Sequence, residues 1–116
     1  MLDPIQRLQA ALRDFAAQRD WDQFHSPKNL AAALSVEAAE LLEIFQWLTE
    51  EQSATLGTER SHAAREEIAD VFLYLLRIAD RLGVDLIAAA EEKLVRNAEK
   101  YPVERSRGRS DKYTGR

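Results

Sequence analysis

Apolar residues recur at every third or fourth position along most of the chain, which is the spacing that gathers them on one face of an α-helix. This pattern predicts four helices, over residues 4–18, 27–49, 61–81 and 85–101. The first two are expected to begin where a capping residue precedes a proline, at Asp3 and at Ser26. Gly83 is expected to end the third helix, so the third and fourth helices should form an antiparallel hairpin.

The segments between these helices show no strand pattern. Residues 50–60 contain Gly57 and several Ser and Thr residues, which predicts a loop, and residues 19–25 form an aromatic connector without helical or alternating periodicity. We therefore predict an all-α fold of the four-helix bundle kind. Residues 1–101 would form one all-α domain and residues 102–116 a basic tail. Apolar positions on more than one face of the second and third helices indicate that another subunit completes part of the core.

Composition and charge narrow the class of protein. Residues 100–116 carry six Lys or Arg and two acids, whereas the remainder of the 116-residue chain carries ten basic and eighteen acidic residues. An acidic body argues against a nucleic-acid-binding domain, although the basic tail can meet an anion. The chain has no cysteine, which excludes disulfides, thiolate zinc sites and thiol catalysis. No apolar run approaches the roughly 18 residues of a membrane span, and the N-terminus is not a signal peptide, so we expect a cytoplasmic protein without a membrane partner.

One carboxylate lies on the apolar face of the second helix. Glu37 falls among leucines and an isoleucine, where an ionised and unpaired side chain would be so costly that it takes up a proton or recruits a cation. Glu40 follows one turn later at the edge of this face, and the same spacing recurs in the third helix at Glu67 and Asp70. Four carboxylates from two helices offer the oxygen ligands that Mg²⁺ prefers, with Mn²⁺ as a substitute.

The alternative is that these acids belong to the solvated surface, because glutamate is a good helix former. Glu67 and Asp70 share one side of their helix with Tyr74, Arg77 and Arg81, opposite several aliphatic residues, so the pattern alone also allows them to be exposed. For Glu37 the aliphatic neighbours argue against this interpretation.

Other catalytic centres fit the spacing less well. The four glycines are too widely separated for a G-x-G-x-x-G turn or a P-loop, and two histidines in loop-like positions do not complete a Ser-His-Asp triad. A carboxylate-bridged di-iron site normally needs two Glu-x-x-His pairs, and the chain has one, Glu59 with His62.

The four acids suit a polyphosphate substrate. Clustered negative charge repels phosphates unless Mg²⁺ lies between them, and water bound to the metal becomes a nucleophile near neutral pH. One of the four acids, or Glu43 beyond them, would orient this water or accept its proton. Lys93 and Asn97, one turn apart on the fourth helix, are candidates for contacts with phosphate oxygens, and the alternative is that both are surface residues.

Aromatic residues offer a surface for a base. Trp21, Phe24 and His25 in the connector, with Trp47 and Tyr74 on the helices, could line a pocket in which base stacking contributes roughly 1–3 kcal/mol per base. The alternative is that the tryptophans belong to the core. The basic tail is either a frayed end or a flap that closes over a triphosphate.

Taken together, these stretches resemble a known family. The resemblance is carried by residues 19–30, Glu37-x-x-Glu40, the run Glu43-Ile-Phe-Gln-Trp47, Glu67-x-x-Asp70 with Tyr74, and Tyr101-Pro through Lys112-Tyr113-Thr. Over nearly its whole length the chain is similar to MazG-like all-α NTP pyrophosphatases, especially to the dCTP pyrophosphatase branch.

The resemblance implies hydrolysis of a nucleoside triphosphate to the monophosphate and pyrophosphate, with Mg²⁺ activating water, in homodimers or dimers of dimers. It implies that Glu37, Glu40, Glu67 and Asp70 are the metal ligands. It further implies a nucleotide pocket built from Trp21, Asp22, Gln23, Phe24, His25, Trp47 and Tyr74, and phosphate contacts from Lys93, Asn97, Lys112 and Tyr113. One departure is Leu12, which stands where the vertebrate dCTP enzymes place a histidine near the base and which cannot form a hydrogen bond.

We therefore predict an Mg²⁺-dependent nucleotide pyrophosphohydrolase that acts on dCTP or a modified pyrimidine deoxynucleotide, with a role in sanitation of the nucleotide pool. In this interpretation residues 1–101 are the catalytic domain and the tail closes over the substrate. The alternative is a non-catalytic helical module that senses nucleotides or binds proteins on the same scaffold. A binding module gains nothing from Glu37 in an apolar face, which favours the enzyme.

Overall fold

The computed structural model describes residues 1–112 and Thr114, and within them the regular secondary structure is helical, as predicted. The helices are α1 (Pro4–Gln18), α2 (Pro27–Phe45), α3 (Glu50–Ala54), α4 (Thr58–Leu82), α5 (Leu86–Lys100) and α6 (Val103–Ser106), with a 3-10 turn at Asp22–Phe24. None of the helices in the described part of the chain has the length and hydrophobicity of a membrane span. The chain forms two compact units, Met1–Gly83 and Val84–Arg116.

The first unit is built around α4. Helix α2 packs along α4, and α1 also packs against it. Each of these three helices contributes a nearly fully buried apolar side chain to the core, namely Ala16, Leu30 and Leu76. Burial of a leucine side chain stabilises the fold by roughly 1.5–3 kcal/mol. The side-chain amide of Gln9 donates a hydrogen bond of 3.0 Å to the carbonyl of Leu76, which joins α1 to α4.

The predicted caps of the first unit are confirmed. Asp3 accepts a hydrogen bond from the backbone amide of Gln6 and Ser26 accepts one from the amide of Asn29, so each satisfies a donor that the first helical turn leaves unpaired. At the other end of α4, Gly83 adopts φ +67°, a left-handed conformation that costs glycine little.

The predicted end of the second helix at Thr49 is wrong, and the predicted loop that follows contains a short helix. Helix α2 ends at Phe45, because Thr49 has an extended backbone and caps α3 instead. The Thr49 hydroxyl accepts a hydrogen bond from the amide of Gln52, and the Gln52 side chain accepts one from the amide of Thr49. This reciprocal capping box has a sequence signature, Thr-x-x-Gln, that could have been used to predict it.

The predicted start of the third helix at Ser61 is also wrong, because α4 begins three residues earlier at Thr58. Gly57 occupies the capping position with an extended backbone and without a side-chain hydrogen bond. Glu59 lies in the first turn, where its negative charge interacts favourably with the positive end of the helix dipole.

The two faces of α4 also differ from the sequence pattern. Arg77, assigned above to the polar side of the helix, is buried with 4% of its surface exposed, whereas Ile68, Phe72 and Leu75 are exposed. Arg77 therefore faces into the first unit, whereas Ile68, Phe72 and Leu75 form an apolar stripe that is exposed in the single chain.

The second unit contains α5 and α6. Asp85 caps α5 by accepting a hydrogen bond from the amide of Ala88, and α5 ends at Lys100, just before Tyr101 and Pro102. The cap and the helix end agree with the sequence pattern. The antiparallel hairpin of the third and fourth predicted helices and the domain boundary at residue 101 stay predictions.

Candidate active site

Three carboxylates meet where α2 packs along α4. Glu37 comes from α2, and Glu67 and Asp70 come from successive turns of α4. Each offers a carboxylate oxygen, and these three oxygens lie within 4.8 Å of one another. We call these three residues the acidic cluster. The i, i+3 spacing places Glu67 and Asp70 on one face of α4, and the packing of α2 brings Glu37 to that face.

Two oxygens of the acidic cluster are buried and lack a hydrogen-bond partner, the Oε2 atoms of Glu37 and Glu67. Two ionised carboxylates cannot donate to each other, so they can satisfy these oxygens only by sharing a proton. A shared hydrogen bond with Glu67 is accordingly the main cause that raises the pKa of Glu37 from 4.5 to about 7, followed by burial and by the neighbouring Glu40. At neutral pH the cluster therefore holds a proton or needs a cation.

The cluster meets the chemical requirements of a site for a hard divalent cation. All its donors are carboxylate oxygens, they converge, and two of them have no other partner. Glu40 lies beside Glu37, although it is not one of the three converging residues. Glu43, one turn further along α2, is exposed.

A cavity of about 390 Å³ opens beside the acidic cluster and includes Asp70 in its wall. Its other lining residues are Leu8, Ala11, Leu12, Phe15, Trp21, His25, Leu73, Tyr74 and Arg77. They come from α1, the connector and α4. The wall is mainly apolar and aromatic with a few polar groups, which is typical of a pocket for a small organic ligand.

The aromatic wall of the cavity is held in place by local contacts. The rings of Phe15 and Trp21 meet edge to face, with centroids 5.6 Å apart, and the backbone amide of Trp21 donates to the carbonyl of Ala16 at the end of α1. The side chain of Asn29 donates to the carbonyl of Phe24, which attaches the connector to the start of α2. The connector is thus an ordered part of the site, despite its lack of sequence periodicity.

Comparison with known proteins places the chain in a family, because the model of the MazG-like family matches residues 32–115. The chain belongs to the MazG-like family. The dCTP pyrophosphatase 1 of Rattus norvegicus is 46% identical over 116 residues, which cover 97% of this chain and 66% of that protein. The dCTP pyrophosphatase 1 of Homo sapiens is 45% identical over 115 residues, again covering 97% and 66% of the two chains. This chain thus spans only about two thirds of the length of these relatives.

A solved structure of a pyrophosphatase from Archaeoglobus fulgidus is similar to this MazG-like chain throughout. The two share 40% of their sequence and superpose with a TM-score of 0.82, over 88% of this chain and 95% of the archaeal one. The family and the all-α fold predicted from the sequence are therefore confirmed.

The other residues predicted for the nucleotide pocket of the MazG-like chain lie outside the cavity wall. Asp22 binds Arg77, and Gln23 donates to the backbone carbonyl and the carboxylate of Asp20 within its own turn. Phe24 is exposed, as is Trp47, with 87% of its surface accessible. The role of each in binding stays a prediction.

The residues predicted to contact phosphates lie in the second unit. Lys93 and Asn97 are one turn apart on α5, and Lys112 is exposed in the tail. The positive charge of Lys100 is the main cause that lowers the pKa of Lys93. Tyr113 lies outside the described residues.

Sequence reasoning missed part of the cavity. The helical periodicity did not assign Leu8, Phe15 or Arg77 to a pocket, although all three line the cavity. The available indication was the position of Arg77, seven residues and two helical turns after Asp70, because this spacing returns a side chain to nearly the same face.

Proposed function

We propose that this chain hydrolyses a nucleoside triphosphate between the α and β phosphates, with water as the co-substrate and a nucleoside monophosphate and pyrophosphate as products. The observation that carries the proposal is the acidic cluster, in which two buried carboxylate oxygens have no partner. The names of the similar proteins, dCTP pyrophosphatase 1 and pyrophosphatase, support the same reaction.

Mg²⁺ is the proposed cofactor, with Mn²⁺ as a substitute, and Glu37, Glu67 and Asp70 would hold it together with the neighbouring Glu40. When bound, the ion neutralises charge on the phosphates and makes water a stronger acid. The all-oxygen donor set supports Mg²⁺ over zinc, which prefers nitrogen and sulfur ligands. Without the ion, the raised pKa of Glu37, about 7, would let its carboxyl group retain a proton near neutral pH.

Other side chains of this protein would accept the proton of the attacking water and bind the base. Glu40, which lies beside Glu37, or Glu43, one turn further along α2, would accept a proton from the attacking water. The cavity would bind the base, with Trp21 and Tyr74 as aromatic contacts. Lys93, Asn97, Lys112 and Tyr113 stay predictions as phosphate contacts.

The proposed substrate is dCTP or a deoxynucleotide with a modified pyrimidine. The names of the vertebrate relatives support dCTP. Leu12 lines the cavity, so the base must obtain its hydrogen bonds from other wall residues. A cytoplasmic location and a role in nucleotide-pool sanitation stay predictions.

A homo-oligomer is the proposed assembly. The apolar stripe of α4 supports it, because Ile68, Phe72 and Leu75 recur on one side of the helix and are exposed in the single chain. A homodimer would cover this stripe, and a dimer of dimers is the larger form of the same arrangement.

Product analysis with a panel of triphosphates tests the reaction. The purified protein is incubated with Mg²⁺ and each canonical or modified deoxynucleoside triphosphate, and we expect monophosphate and pyrophosphate in equal amounts. The variants Glu37→Gln and Asp70→Asn should lose turnover while their helical circular dichroism persists. Release of the nucleoside diphosphate and inorganic phosphate, or normal rates in both variants, would contradict the proposal. Binding without turnover in the wild type would favour the nucleotide-sensing module.

A further inference from the structure

Arg77 is a charged residue in the interior of the first unit. Among the described residues it is the charged side chain with the smallest exposed fraction, 4%. It lies on α4 and lines the cavity. Because an arginine stays protonated in proteins, its burial requires partners that satisfy both its charge and its N–H groups.

Its contacts come from the connector and from α4. Arg77 Nη2 donates a hydrogen bond of 2.6 Å to Asp22 Oδ1, and Nη1 lies 3.8 Å from Asp80 Oδ2. These two carboxylates balance its charge. A third contact involves no negative charge, because Arg77 Nε donates to Nδ1 of His25 at 3.3 Å. We call Arg77, Asp22, His25 and Asp80 the Arg77 network.

The contact with His25 determines where that ring carries its proton. A guanidinium has no acceptor, so Nδ1 of His25 must accept and cannot itself be protonated. A neutral His25 then carries its proton on Nε2. Burial is the main cause that lowers the pKa of His25, and the charges of Arg77 and Arg81 lower it further against an opposing effect of Asp22. The ring is thus neutral at physiological pH, with a single remaining donor.

We propose that Arg77 is a positioning residue for substrate selection, which fixes His25 as an Nε2–H donor to an acceptor atom on the edge of the nucleobase. His25 and Arg77 both line the cavity, next to the aromatic contact of Trp21. The inference rests on the proposed function, because it assigns the cavity to the base. Cytosine presents acceptors at both N3 and O2, whereas N3 of uracil and thymine bears a hydrogen. A fixed donor that meets N3 discriminates between these bases, because O2 is an acceptor in all three, whereas an N3–H in place of the N3 acceptor leaves a buried polar group unpaired.

The tautomer of His25 can be measured without any substrate. Nitrogen-15 NMR of the histidine rings should show Nε2 protonated and Nδ1 bare in the wild type. The variant Arg77→Met should give a mixture of both tautomers and a His25 pKa closer to 6.5. His62, whose side chain is 73% exposed, is an internal reference in the same spectra. Arg13→Met is the matched control, because Arg13 binds Asp80 and has no contact with His25.

The variant Arg77→Met is expected to fold. Methionine retains much of the buried volume, and the removal of one member of a buried ion pair is costly mainly where it leaves its partner buried without another contact. The two carboxylates that remain in the variant keep other contacts. The Asp22 side chain is half exposed to solvent, and Asp80 keeps both hydrogen bonds from Arg13. A proton on Nδ1 of His25 in the wild type, or an unchanged tautomer in Arg77→Met, would overturn the proposal.

Steady-state kinetics with dCTP, dUTP and dTTP test the link to the base. Loss of one aligned hydrogen bond should raise KM of the preferred substrate about tenfold in Arg77→Met and reduce the preference among the three bases by a similar factor, with little change in kcat. Arg13→Met should keep the wild-type values. In a His25→Phe background, Arg77→Met should add no further loss, because both changes remove the same donor.

The outcomes separate this inference from the proposed function. Unchanged base preference in Arg77→Met, or additive losses in the double variant, would overturn the positioning role while turnover persists. If the wild type hydrolyses none of the triphosphates, the proposed function fails and the base contact fails with it, whereas the NMR spectra still decide whether Arg77 fixes His25.

Discussion

The acidic cluster and the Arg77 network both lie along α4, but they solve the problem of buried charge in opposite ways. In the network, the guanidinium of Arg77 meets the carboxylates of Asp22 and Asp80 within the same chain. In the cluster, the three converging groups are all carboxylates, and two of their oxygens have no partner. The charge of the network is thus balanced within the chain, whereas the negative charge of the cluster is not.

This difference suits the Arg77 network to positioning other residues and the acidic cluster to the chemical reaction. A balanced buried ion orients its neighbours and needs nothing from solution. An unbalanced group of acids either keeps a proton, as the raised pKa of Glu37 indicates, or binds a cation that arrives with the substrate.

The largest effect is expected from Glu67→Gln, which removes a negative charge from the unbalanced cluster. We expect kcat/KM to fall about 10³-fold, equivalent to about 4 kcal/mol of transition-state stabilisation. Glu66→Gln is the matched control, because Glu66 is adjacent in sequence but 63% exposed and near His62. Similar activity in the two variants would show that the cluster takes no part in the reaction.

The second effect concerns stability and pH in metal-free buffer. Glu37 has its pKa raised from 4.5 to about 7, so between these values the folded protein holds a proton that the unfolded chain releases. The contribution of Glu37 to stability should therefore decline as pH rises from about 4.5, and the loss should be complete above about 7. The side chain of the Glu37→Gln variant cannot ionise. In thermal unfolding, the melting temperature of this variant relative to that of the wild type should therefore increase over this pH range. Parallel curves would contradict the shared proton.

Addition of Mg²⁺ also tests whether the acidic cluster holds a proton, because carboxylates must lose the shared proton to bind the ion. We expect Mg²⁺ to raise the melting temperature of the wild type by several degrees at about pH 8 and by less at about pH 5.5. Equal shifts of the melting temperature at the two pH values would mean that Mg²⁺ does not bind to the acidic cluster.

The third effect tests the balance of the network. Asp22→Ala leaves Arg77 buried with fewer partners, so it should lower the free energy of unfolding by about 1–2 kcal/mol. Asp14→Ala, an exposed acid on α1, is the control and should stay within about 0.5 kcal/mol of the wild type. Urea unfolding measures both, and equal stability of the two variants would mean that Asp22 does not support Arg77.

The smallest effect is expected at the edge of the network. Arg13 donates to both oxygens of Asp80 at 2.8 Å, but its side chain is half exposed. Arg13→Met should therefore change the free energy of unfolding by less than about 1 kcal/mol, and added salt should reduce the difference further. A larger, salt-independent loss would show that Asp80 depends on Arg13 to balance Arg77.

The local features of the fold were predictable because their causes are local. Asp3, Ser26 and Asp85 cap the helices that their positions predict, and α1 has the predicted bounds. The errors also have local causes, since Thr49 caps a short helix through Gln52 and Gly57 starts α4 without a side-chain cap. The pyrophosphohydrolase activity predicted from the resemblance agrees with the names of the similar proteins.

The helical class could be predicted because capping and helical periodicity depend on residues within one or two turns. The family and the spacing of the acids could be predicted because the matching motifs are continuous stretches of the chain. The packing of the helices was needed to show that Glu37 meets Glu67 and Asp70, and that Arg77 is buried. It also joined Arg77 to His25 and Asp22, which are 52 and 55 residues away in sequence. Such contacts depend on how separate helices pack, and the periodicity of one helix does not specify which of its faces a distant segment will cover.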